Sequence, residues 1–117
     1  MTNLELTRKV AELLGWTDVD KYPPLLGRTP EDRNVWAQIP CFTTNLNACI
    51  DGICKDERVT AIAISFTRQD VWLWCHDKHG NVLGNTYKRH DNTHEDIARA
   101  ICEAFIRLCK EGKAKKE

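Results

Sequence analysis

The chain lacks net charge, a long apolar run and any familiar catalytic motif, and each absence removes a class of function. Lysine plus arginine number 17, as do aspartate plus glutamate, so the formal charge is zero. A protein that grips duplex DNA by its phosphates carries a positive surplus, so duplex nucleic acid is not an expected partner. The one dense basic run is Lys110, Lys113, Lys115 and Lys116, diluted by Glu111 and Glu117. It reads as a solvated tail, which gives a single domain over 1–110 and a disordered basic tail over 111–117. No apolar segment approaches the ~20 residues that span a bilayer, and MTNLELTRKV reads as a polar helix start rather than a secretory signal. Membrane partners are therefore not expected. There is no phosphate-cradling glycine loop, no Gly-x-Ser-x-Gly and no paired metal carboxylates. The expectation is a protein that is not an enzyme and needs no cofactor.

What is present is an ordinary globular balance. With 117 residues, 42% hydrophobic and 29% charged, the chain has the size and composition of one cored domain. Six cysteines are many for this length. A disulfide framework would need a secreted context, and several of these cysteines fall on apolar helix stripes, where a free thiol behaves as a small hydrophobe. They are read as reduced core residues of a cytosolic protein.

Periodicity marks three helices and a meander. Thr2-Asn3-Leu4-Glu5 has the form of a capping box, and Leu6, Val10, Leu13 and Leu14 follow as one helical stripe. Gly15 is placed to end that helix with positive φ, and Trp16 to lie over its end. Residues 17–33 form a long loop, and 34–39 alternate as a short strand that Pro40 holds at an edge or ends. Leu46, Cys49, Ile50 and Ile53 form a second helix over about 45–55, with Thr43 or Thr44 as its cap. Val59 to Thr67 is rich in β-branched residues. Ile62, Ile64 and Phe66 lie on one face, and Val59, Ala61, Ala63 and Ser65 on another that would let a helix approach closely. Val71 to His76 alternates Val71, Leu73 and Cys75 against Trp72, Trp74 and His76, and 82–88 returns as a third strand after a turn ending in Gly80. Thr93-His94-Glu95-Asp96 caps a last helix, whose stripe is Ile97, Ile101, Ala104, Phe105 and Leu108, widened by Ala98, Cys102 and Cys109. Glu95–Arg99 and Glu103–Arg107 are spaced as pairs on its solvent side. The fold class is α+β: a three-layer α-β-α sandwich with a small antiparallel meander and three helices.

Candidate chemistry is sparse. Cys75 and His76 point to opposite faces of a strand, so with His79 they do not make a metal site. His90 and His94 stand four apart, but Thr93 caps between them; a polar loop and a first-turn histidine account for the pair, and no metal is expected. Trp72 and Trp74 share a strand face, either as a stacking platform for bases or as a face covered by a helix. Cys41 precedes the second helix, where a thiolate would be stabilised. The same helix start offers free N–H groups and a positive dipole end to a small anion. The expected ligand-binding set is therefore Thr43, Thr44 and Asn45, with Trp36 stacking and Arg28 and Arg33 pairing with charge from the preceding loop. The alternative at the threonines is simple capping.

Three segments in order, Val10–Trp16 (VAELLGW), Ile39–Asn45 (IPCFTTN) and Asp96–Ala104 (DIARAICEA), resemble the phage ABA-sandwich family of small bacteriophage proteins. That family has a helix ending in Gly-Trp, a Pro-x-aromatic-Ser/Thr-Ser/Thr-Asp step into a second helix and an Ala-Ile-Cys-type final helix. Here Asn45 stands where the family tends to have Asp. The resemblance implies a phage accessory protein of the host cytoplasm, acting in counter-defence. Its partner would be a small anionic, nucleotide-type signal, or alternatively a host protein that it binds and inhibits; a homo-oligomer is compatible with either.

Overall fold

The computed structural model describes residues 2–65, 67–76, 79, 82–88 and 93–110. The first helix, α1, runs Asn3–Leu13, and the Thr2 side chain accepts from the Glu5 N–H at 3.2 Å, as the capping pattern requires. Its end is a Schellman motif. Gly15 takes φ +103, its N–H reaches the Glu12 carbonyl at 3.2 Å, and the Trp16 N–H reaches that of Ala11 at 3.0 Å. Trp16 then packs partly buried on the core.

The long loop holds a strand that the sequence pattern does not reveal. Leu26–Arg28 (β1) pairs antiparallel with Trp36–Gln38 (β2), the centre of the expected 34–39 strand, in a small separate sheet. Three-residue strands are too short to display an alternation that could be read.

The second helix, α2, is Leu46–Ile53, and its cap is Asn45 rather than a threonine: the Asn45 carboxamide oxygen accepts from the Ala48 N–H at 3.1 Å. Either residue type caps well; here Thr43 is committed elsewhere. The meander follows, with β3 Val59–Ser65, β4 Asp70–His76 and β5 Val82–Lys88 in the order β3-β4-β5. The final helix, α3, is His94–Lys110, and Thr93 Oγ1 accepts from the Asp96 N–H at 3.2 Å. On its flank Arg99 pairs with Glu103 at 3.1 Å, one helical turn on. Gly80, Phe66, His90 and the tail 111–117 lie outside the described residues.

The α+β class, the three helices and the antiparallel meander are as expected. Within the sandwich, α3 is the middle layer: it packs on β4 and β5 from one side and on α1 and α2 from the other. The reason lies in its sequence. Ile97, Ala98, Ala100, Ile101, Cys102, Ala104, Phe105, Leu108 and Cys109 are all buried, a set too wide for one face, and a helix apolar around most of its circumference is a buried helix.

That placement settles which face of the meander is inside. Val71, Leu73 and Cys75 are completely buried under α3, and Ile62 and Ile64 pack beside them. A bulge between Val59 and Ala61 brings Val59 opposite Cys75, so Val59 joins the inner face rather than the alanine face. Ala61 and Ala63 do not receive a helix. They are exposed, opposite Trp74 and Trp72, and the two tryptophans belong to the outer face of the sheet.

Candidate functional site

The expected binding residues divide into two groups. Thr43 is 2% exposed and turned towards α1, where its hydroxyl meets that of Thr7 at 3.0 Å and donates to the Asn3 carbonyl at 3.4 Å. It joins the start of α2 to α1 and faces no solvent. Thr44 and Asn45 do line an open groove of about 690 Å³, together with Cys41, Asn47, Thr93 and His94. The groove lies where the N-termini of α2 and α3 converge, so two positive dipole ends share one depression. Its ionisable lining is the Cys41 thiol, the His94 imidazole and one carboxylate, Glu95, which opposes an anion.

Arg28, Arg33 and Trp36 are brought together on the β1–β2 hairpin and do not line that groove. Strand pairing sets Arg28 opposite Trp36, with the guanidinium 4.8 Å from the indole centroid. Arg28 also pairs with Asp18 at 2.7 Å and donates to the Arg33 carbonyl at 2.8 Å. Its guanidinium is thus engaged by the loop before β1 and by the hairpin itself, and the exposed tryptophan is stacked on it.

A second depression, of about 550 Å³, is lined by apolar side chains that include Trp16 and Phe42 and by the charged Glu31, Asp51, Lys55 and Glu57. Gly52 is required there, because a Cβ would stand 2.6 Å from the Phe42 ring. Carboxylates outnumber Lys55 in its lining, which disfavours an anion.

The charged site that sequence reasoning misses is internal. Arg58, 6% exposed, makes a fork to Asp56 with contacts of 2.7 and 2.9 Å, donates to the Leu13 carbonyl at 2.7 Å and lies 5.1 Å from the Phe105 centroid. The Asp56 hydrogen bond raises the arginine pKa against the opposing effect of burial. In Lys55-Asp56-Glu57-Arg58 nothing distinguishes this pair from a solvated turn. Its role is structural: it ties the end of α2 to the end of α1 and to α3.

All six cysteines are free thiols. Cys49, Cys75, Cys102 and Cys109 are core residues as expected, whereas Cys41 and Cys54 are exposed, a correction that follows from their positions before and after α2. Burial raises the Cys75 pKa to about 12 and also raises that of Cys109. Cys102 is raised first by its contact with Cys49, 3.9 Å away between sulfurs, and then by burial. Cys54 is raised by partial burial, then by Cys49 and Asp51. Because the thiolate is the nucleophile, brief alkylation of the native protein should modify Cys41 first and Cys54 more slowly, and leave the four core thiols until the chain unfolds. Peptide mapping that finds Cys75 or Cys102 modified as fast as Cys41 would contradict this placement.

No group of three or more metal-ligating side chains gathers among the described residues, and the His90/His94 pairing falls partly outside them. No helix among the described residues is long and apolar enough to cross a membrane. Compared with protein-family models, curated proteins and solved structures, the chain matches none.

Proposed function

We propose that this chain is a non-enzymatic phage accessory protein of the host cytoplasm that captures a small anionic, nucleotide-type ligand in the groove between α2 and α3. One observation carries the reading: the two helix starts open into the same depression, lined by Thr44 and by the caps Asn45 and Thr93 of the two helices. Such ends hold phosphate and carboxylate through aligned N–H donors and dipoles. The phage setting and a counter-defence role rest on the family resemblance, and the site residues are refined to Thr44 and Asn45 with Thr93 and His94.

A ligand that binds only the native state raises its melting point with concentration, so inorganic phosphate and a set of mono- and cyclic nucleotides at millimolar concentration form the test. At least one should raise the midpoint. Thr44→Asp places a charge beside the exposed start of α2, where the helix tolerates it and the anion does not; it should abolish the shift and leave the unliganded midpoint nearly unchanged. Glu95→Gln removes the opposing carboxylate and should enlarge the shift. If no anion moves the wild-type midpoint, capture fails and the alternative, a module that binds and inhibits a host protein, takes its place.

A further inference from the structure

The outer face of the meander forms a grid. Along β4 it presents His76, Trp74, Trp72 and Asp70; β5 sets Val82, Gly84, Thr86 and Lys88 opposite them; β3 adds Ala61, Ala63 and Ser65 on the other side. At its centre Trp72 and Trp74 are near-parallel, with centroids 5.9 Å apart and planes 16° apart. Gly84 makes this possible, since a Cβ there would stand 2.7 Å from Trp74 Cδ1 and 2.8 Å from Nε1. Trp72 keeps 36% of its surface exposed, and Ala61, Ala63 and Gly84 keep the relief around the rings low.

Among the described residues the exposed charge on this face is of one sign. Lys88 on β5 and Arg68 in the β3–β4 turn stand at its Trp72 end, both exposed, with the Lys88 ammonium donating to the Arg68 carbonyl at 3.4 Å. Among the described residues the one carboxylate of the grid is Asp70, 3% exposed and so withdrawn from the surface. In a chain with as many acids as bases, a face that combines exposed cations and accessible indoles, with no exposed carboxylate among its described residues, selects a polyanion with flat apolar groups.

We propose that this face binds single-stranded nucleic acid, with bases continuing the Trp72–Trp74 stack and the backbone running past Lys88 and Arg68. The occupant is a single strand because a paired duplex buries its base faces, whereas any unpaired base offers one to an aromatic ring. Neutral overall charge is compatible with this, since stacking supplies much of the affinity and few phosphates need be met. The site is independent of the α2–α3 groove.

Fluorescence anisotropy with labelled dT10 and rU10 at low salt, read alongside tryptophan emission, tests it. Binding should appear with a Kd of about 1–100 μM, with quenched indole emission and no response to a duplex of equal length. Trp72→Ala should weaken it about tenfold or more while the far-UV spectrum and melting point stay as in the wild type. Lys88→Ala should flatten the slope of log K against log salt by about 0.7. The proposal fails if neither oligonucleotide binds at about 100 μM, if Trp72→Ala binds as well as the wild type, or if sedimentation shows a dimer that Trp72→Ala dissolves, in which case a second copy covers the face.

Discussion

Replacing Arg58 with methionine should destabilise the protein by about 3–5 kcal/mol, the cost of breaking a buried ion pair by removing one partner. The side chains of Arg58 and Asp56 are 7% and 3% exposed, so the carboxylate left behind could not be rehydrated without local opening. The Leu13 carbonyl at the end of α1 would lose its donor, and the Phe105 face its cation. Arg58→Lys keeps a charge but has no fork to match both oxygens of Asp56, and should fall between. The informative variant is Arg58→Met combined with Asp56→Leu. Removing both charges leaves no unpaired ion, so the double change should cost clearly less than the sum of the single ones. Urea titrations supply all four values. A cost within about 0.5 kcal/mol for Arg58→Met, the range of ordinary surface changes, would show that the pair does not organise the core.

The parts of the fold legible in sequence were those with enough residues to show a period or a cap. The stripes of α1 and α3, the caps Thr2 and Thr93, and the stop at Gly15 are local chemistry, decided within four or five residues. The face of β4 that turns inward is not local. Val71, Leu73 and Cys75 alternate with Trp72 and Trp74, and both sets are apolar, so alternation separates two faces without saying which one α3 covers. The covered face is the one whose shapes fit beneath a helix; the outer one holds two large rings accommodated by Gly84. The bulge after Val59 likewise breaks the parity that assigned Val59 to the alanine face. Charges were least legible, because Asp56–Arg58 is polar in sequence and buried only by elements distant along the chain.

The candidate site shows the same division. Arg28 and Trp36 meet because β1 and β2 pair in register, while the charge expected to meet a ligand is paired with Asp18 in the loop before β1. Thr43 and Thr44 are neighbours with opposite surroundings, one bonded to Thr7 and the other lining the groove. The approach of α3's start to that of α2 adds Thr93 and His94, a juxtaposition that needs the tertiary fold.

Ile101→Ala should cost about 2–5 kcal/mol through lost burial and the cavity left behind. Ile101 has no exposed surface and belongs to the middle layer, which packs on the sheet from one side and on α1 and α2 from the other. A helix held on both sides has little freedom to collapse into a void, which places the expected value in the upper part of that range, since the cost rises with the cavity that remains. Ile101→Val removes one methylene and should cost about 0.5–1.5 kcal/mol. Ile106→Ala, on a side chain only partly buried against the core, should cost less than Ile101→Ala. Urea unfolding of the three variants, with slopes equal to the wild type so that the midpoints compare directly, gives the order. If Ile106→Ala proves as costly as Ile101→Ala, or Ile101→Ala falls within the range of surface substitutions, α3 is not the middle layer that its contacts describe.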